Sequence, residues 1–177
     1  MNKSAILIID MLEDFVRQGA PLEVPNTRKI IPFIQKELKK ARDLKMDVLY
    51  ICDAHKKNDI EFVKYGWLPH CIKGTKGAEI IEELKPSEGD IIVEKKTYSG
   101  FYKTKLDRIL KQRGIKTLYL MGCVTHICIL FTASDAVLRG YEVFVLEDGI
   151  AGLEEEDHKA GLRIMKNVLG VKIIEEI

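Results

Sequence analysis

The sequence predicts an α/β fold in three layers, a six-stranded parallel sheet with helices on both faces. Three observations predict it. Short apolar runs alternate along the chain with segments whose apolar residues recur at helical spacing. The first run is apolar throughout, rather than at every second residue, which is how a strand covered on both faces reads. The 177 residues are 46% hydrophobic and 31% charged, and no repeat or Pro/Ser-rich linker divides them, so residues 1–177 read as one domain.

Residues 5–9 (AILII) form the first apolar run. From Asn26 the pattern changes: Ile30, Phe33, Ile34, Leu38, Ala41 and Leu44 fall on one helical face, with Asn26 or Thr27 available as an N-cap. Residues 48–52 read as the second strand. A loop-rich stretch to about Gly77 precedes a short helix over 78–84. Residues 91–93 are the third strand. The helix over 105–112 has Leu106, Ile109 and Leu110 as its stripe and Gly114 as its stop. A fourth strand (118–121), a helix (127–138, ending at Gly140), a fifth strand (143–146), a helix (154–168) and a last strand (171–174) complete the series.

Lys+Arg total 28 and Asp+Glu 27, a formal charge of +1 that argues against a nucleic-acid surface or a polybasic membrane anchor. No apolar run approaches the roughly 20 residues of a membrane helix. The first residues run straight into a strand with no room for a signal peptide, so the expected location is the cytoplasm. The four cysteines, Cys52, Cys71, Cys123 and Cys128, show no paired CxxC spacing. A disulfide framework is not expected, which leaves each thiol as packing or as chemistry. Neither GxGxxG nor GxxxxGK[ST] occurs, so nothing points to a dinucleotide or nucleoside triphosphate.

In parallel sheets, function collects at the carboxyl ends of strands. Asp10 and Asp14 follow the first, Asp53 and His55 the second, Glu94 and Lys95 the third, and Gly122 to Cys128 the fourth. Cys128 lies where a turn gives way to a helix, whose positive end would favour a thiolate and whose free N–H groups would hold an oxyanion. The ordinary fate of such a cysteine is burial in a core. Lys95 reads as a surface lysine or as a cation drawn inward, and Asp10 as a turn cap or a general base. Together they would supply a nucleophile, a cation and a proton carrier. Asp53 and His55, two residues apart, point the same way if extended, while Cys52 points into the core. With His70 they offer two imidazoles and a carboxylate, which leaves positions open on a metal. Glu61 is a further possible oxygen donor. The same residues could equally serve loop turns and caps. Trp67, the sole tryptophan, is packing or a flat wall beside a ring. His126 reads as a solvent-facing loop residue and His158 as part of a solvated acidic helix start.

Three motifs carry a resemblance. Residues 9–15 (IDMLEDF), 95–101 (KKTYSGF) and 122–128 (GCVTHIC), the last followed by TASDA at 132–136, resemble in order and spacing the motifs of the isochorismatase-like cysteine hydrolases. The resemblance implies strand order 3-2-1-4-5-6. It also implies Asp10 as acid/base, Lys95 as stabiliser and Cys128 as nucleophile. A cis peptide between Cys123 and Val124 would aim the N–H groups of Val124 and Cys128 at the oxyanion. Residues 53–55 (DAH), 67–71 (WLPHC) and 74–77 (GTKG) resemble the metal-binding branch, the nicotinamidases and pyrazinamidases. That branch implies a divalent metal held by Asp53, His55, His70 and Glu61, the last standing where many members have a third histidine. Zinc is expected first, with iron or manganese as alternatives. Phe15 and Trp67 match an aromatic pair that sandwiches the substrate ring, and Tyr98 joins them as a substrate-binding residue. Leu12 replaces a usual glutamine, and the lysine motif lacks a longer insert.

The implied activity is hydrolysis of the linear amide of nicotinamide to nicotinate and ammonia, through a Cys128 thioester that water, activated by Asp10 or the metal, then cleaves. An N-carbamoylsarcosine amidase or another small-amide hydrolase is the alternative, and a non-catalytic binding domain is the alternative class. The expected partners are the small amide and further copies of the chain in a homo-oligomer, with no nucleic acid and no membrane.

Overall fold

The computed structural model describes residues 3–177. Its centre is a six-stranded sheet formed by β1 (Lys3–Ile9), β2 (Asp47–Asp53), β3 (Ile91–Lys95), β4 (Ile115–Cys123), β5 (Glu142–Ala151) and β6 (Lys172–Ile174). The order is β3-β2-β1-β4-β5-β6 with every neighbouring pair parallel. The order reverses direction between β1 and β4, so their carboxyl ends flank the crevice where α/β sheets bind ligands.

The uninterrupted apolar run of β1 is explained by its two faces. Ile6 and Ile8 pack with Ile30, Ile34 and Leu38 of α2 (Thr27–Asp43) on one side of the sheet. Ala5, Leu7 and Ile9 pack on the other with α4 (Leu106–Arg113), α5 (Leu130–Leu138) and α6 (Glu155–Asn167), through Leu106, Leu110, Ala133, Ala136 and Met165. Each fully buried Ile or Leu contributes about 1.5–3 kcal/mol, so burial on both faces anchors β1 firmly. Gly122 lets β4 close against it: its φ is +118°, and a Cβ there would lie 2.0 Å from the Ile9 carbonyl oxygen.

Local expectations are corrected at several points. A one-turn helix, α1 (Glu13–Val16), follows β1, and α3 (Ile60–Tyr65) lies inside the stretch expected to be loop. Both are too short to show a helical period. The helix expected over 78–84 is instead two 3₁₀ turns, Lys76–Ala78 and Glu82–Leu84. Between them the chain is pulled extended, because Glu13 N–H donates to Glu79 O and Ile81 N–H to Met11 O. The helix expected from 127 begins as a π-helical turn, Thr125–Ile129, and becomes α-helical at Leu130. The Asn26 side chain makes no cap and accepts from Lys29 Nζ, while Thr27 Oγ1 donates to Val24 O. Among the described residues, no helix is long and apolar enough to cross a membrane.

Candidate active site

Asp10 leaves the end of β1 with φ +53°, its N–H donating to Ile51 O of β2 at 2.9 Å. Its Oδ1 accepts the N–H of Asp53 at 2.9 Å. Lys95, the last residue of β3, pairs in register with Asp53 and has a fully buried side chain. Its Nζ lies 2.7 Å from Asp10 Oδ2, 2.5 Å from Asp53 Oδ1 and 3.6 Å from Cys128 Sγ. A lone buried ammonium would be very costly; two carboxylates offset that cost here. The three strand-end residues predicted to converge do converge, and Asp53 joins them.

Burial, reinforced by Asp53, pushes Asp10 up to about 6 against the opposing pull of Lys95. Burial would also raise Asp53, but Lys95 and the two imidazoles outweigh it and hold the carboxyl far below the usual range. Burial works to lower Lys95, and the two carboxylates overcome it and raise the ammonium well above its ordinary value. Cys128 is raised well above an ordinary thiol by burial, with Lys95 opposing. The expected acidification by the helix is thus opposed by burial, and the sulfur lies beside a carboxylate placed to take its proton.

Asp53, His55 and His70 are buried, with one donor atom from each lying within 4.8 Å of the others. Nε2 of His55 and Nε2 of His70 are each 3.7 Å from Asp53 Oδ2. His70 Nδ1 is 2.7 Å from the Leu68 carbonyl, which can only accept; this assigns the proton to Nδ1 and leaves the Nε2 lone pair for the centre. His55 Nδ1 faces Asp59 Oδ2 at 3.4 Å. Two oriented imidazoles and a carboxylate suit a zinc-type cation with a position left for substrate. Asp59 also caps α3 by accepting from Glu61 N–H, and Phe62 of that helix packs its ring 5.0 Å from His55 and 5.2 Å from His70. Glu61 lines the same cavity but lies outside the three-residue group.

Asp14 serves the scaffold. Its Oδ2 accepts Cys71 N–H at 2.7 Å, and a Cβ at Gly77 would lie 2.1 Å from the same oxygen, so a side chain there would displace the carboxylate. The serine and glycine of the lysine motif have a similar use. Ser99 Oγ donates to Asp135 Oδ2 at 2.5 Å and Gly100 N–H to Thr132 Oγ1 at 3.0 Å, fastening that loop to α5. These partners lie over 30 residues apart, so no local pattern announces them. Glu94 points outward and pairs with Lys73; Cys52 is core, as expected.

A cavity of about 370 Å³ opens over these groups. Val124, Ile127 and Cys128 line it, as do Asp53, His55, His70 and Glu61. Phe15, Trp67 and Tyr98 line it as well, Trp67 Nε1–H donating to Tyr98 Oη at 3.2 Å. Among the described residues, no lysine or arginine lines it. The peptide between Cys123 and Val124 is cis, as the motif implies. Two residues depart from expectation. His126 is partly covered by α6, and His158 shares a hydrogen bond with buried Thr125 instead of facing solvent.

Comparison with known proteins finds this fold over nearly the whole chain. An isochorismatase-like hydrolase from Alkaliphilus metalliredigens is 41% identical and superposes with a TM-score of 0.91, covering 97% of this chain and 93% of its own. A pyrazinamidase of Pyrococcus horikoshii, solved with zinc, is 34% identical with a TM-score of 0.91 over 98% of this chain and 99% of its own. An N-carbamoylsarcosine amidase from Thermoplasma acidophilum is 35% identical with a TM-score of 0.87, covering 97% and 95% respectively. The family model of the isochorismatase domain matches residues 4–175. This chain therefore belongs to the isochorismatase family of hydrolases.

Proposed function

We propose that this chain is a metal-assisted cysteine amidase that hydrolyses nicotinamide to nicotinate and ammonia. The observation that carries the reading is the character of the cavity. It sets a cysteine beside a carboxylate, faces a two-histidine, one-carboxylate cation site, and is otherwise walled mainly by aromatic and aliphatic side chains, with Glu23, Glu61 and Thr97 as its remaining polar residues and no lysine or arginine. A neutral aromatic amide suits such walls. An N-carbamoyl amino acid would bring a carboxylate that no cationic side chain of the wall meets.

Asp10 accepts the Cys128 proton while Lys95, 3.6 Å from the sulfur, favours the thiolate. Sulfur bonds to the carboxamide carbon and the carbonyl electrons move to oxygen, which the N–H groups of Val124 and Cys128 receive. The tetrahedral species collapses, the C–N bond breaks, and Asp10 returns the proton to the departing ammonia. Asp10 next takes a proton from water as its oxygen attacks the thioester, and acid and thiol are released. Asp53, His55 and His70 would hold a divalent ion, zinc first among the candidates, and Glu61 would add an oxygen donor. Such an ion supplies a Lewis acid for a ring nitrogen, orienting the ring that Phe15, Trp67 and Tyr98 enclose.

Ammonia release should be assayed with nicotinamide, pyrazinamide and N-carbamoylsarcosine. Turnover of the first two is expected. Turnover of the carbamoyl compound alone overturns the substrate while keeping the chemistry. No turnover of any amide, with Cys128 no more reactive to iodoacetamide than an ordinary thiol, favours a binding domain.

A further inference from the structure

The segment carrying Cys128 has a second side that the reaction above does not use. Val124, Ile127 and Cys128 line the cavity. Thr125 and His126 instead meet α6. Thr125 is fully buried, and its Oγ1 shares a 2.8 Å hydrogen bond with Nδ1 of His158 in the first turns of that helix. Two glycines bring the parts this close. A Cβ on Gly152 would lie 2.8 Å from His158 Cβ, and a Cβ on Gly161 would lie 3.0 Å from His126 Cα. The junction is thus fitted at backbone level, and its hydrogen bond ends on the residue directly after Val124.

We infer that His158 is a positioning residue: through Thr125 it fixes the turn whose N–H groups at Val124 and Cys128 receive the oxyanion. The inference rests on the cysteine chemistry proposed above. Oxyanion donors act only when held where charge develops, and here two of them flank a threonine whose buried hydroxyl is tied to a neighbouring helix. His158 does not line the catalytic cavity, which separates this role from that of an acid or base acting on substrate.

The test compares His158→Asn, which keeps a polar group near the Nδ1 position, with His158→Gln, which moves it outward, alongside Thr125→Val and the Thr125→Val/His158→Gln double variant. Asn and Gln are both polar and both fit a partly buried helical site, so their contrast reads the bond rather than the fold. The probe is pyridine-3-carbaldehyde. The Cys128 sulfur adds to its carbonyl carbon and the thiol proton passes to the carbonyl oxygen, with no leaving group, so the adduct reports the oxyanion pocket without amide turnover. Its affinity is read by protection of Cys128 from iodoacetamide, and nicotinamide turnover gives kcat and KM.

His158→Gln and Thr125→Val should each weaken aldehyde binding and lower kcat about tenfold, with KM within about twofold. The Asn variant should recover most of the loss, and the double variant should be no worse than the poorer single, because the pair acts as one unit. Wild-type aldehyde affinity in the Gln and Val variants, an Asn variant as poor as Gln, or losses that multiply in the double variant overturns the inference. A wild-type protein that holds the aldehyde but ignores nicotinamide fails the substrate proposal alone, and the aldehyde series still decides His158. One that holds no aldehyde overturns the His158 role as well.

Discussion

Lys95 is a buried cation shared by two carboxylates at 2.7 and 2.5 Å, so deleting its charge strands both acids in the interior. Lys95→Met should cost about 3–5 kcal/mol of stability by urea denaturation, far more than the loss of an exposed lysine. Glu61 lines the cavity without joining the close donor group; if it adds an oxygen to the ion, Glu61→Gln should lower zinc affinity in a chelator titration by about tenfold or more and leave the fold unchanged. Unchanged zinc stoichiometry and affinity would restrict the ligands to Asp53, His55 and His70. Asp10, Asp53, His55 and Lys95 were legible because they sit just after predicted strands, where chain order brings them to one edge; Cys128 and His70 lie further along and were carried by the motifs. His158, Asp59 and Asp14 were not legible as partners of Thr125, His55 and Cys71. Their functions are set by tertiary approach, and a lone polar residue at a helix start or in a turn has the same local signature whether or not it has such a partner.

At the scale of elements, the long amphipathic helices and buried strands were readable because many residues repeat one period. One-turn α1 and the six-residue α3 were not, although α3 carries Asp59 and Phe62 around the imidazoles. The loop over 71–77 is held by Asp14 against Gly77, and a methyl group at 77 must expel that carboxylate. Gly77→Ala should therefore release Cys71 N–H, displace neighbouring His70, and weaken zinc binding about tenfold while far-ultraviolet circular dichroism stays native. Gly122→Ala meets backbone, not a movable side chain, at the junction of β1 and β4. It should lower the unfolding free energy by more than about 3 kcal/mol, or prevent folding, as judged by denaturant midpoint or soluble yield.

At the scale of the molecule, alternation predicts a parallel sheet but leaves strand order open; the motif resemblance supplied the order that the register now displays. An ion bound only by the folded arrangement of Asp53, His55 and His70 would add stability by mass action. Zinc at about a hundred times its dissociation constant should contribute about 2.7 kcal/mol, seen as a raised thermal midpoint that a chelator reverses. Replacing both histidines with alanine should abolish the shift.

The position of Lys95 between Asp10 and Asp53 also constrains how descendants of this chain can diverge. The imidazoles of His55 and His70 sit outside the ammonium's pairing, so replacing either one leaves that pairing intact. Asp53 has less freedom, because it is one of the two carboxylates that hold the buried ammonium, and its loss takes away one of the contacts that offset the cost of burying it. A lineage that abandons the metal is therefore expected to keep an acid at position 53 long after the histidines have gone, a fossil of the site preserved by folding rather than by catalysis.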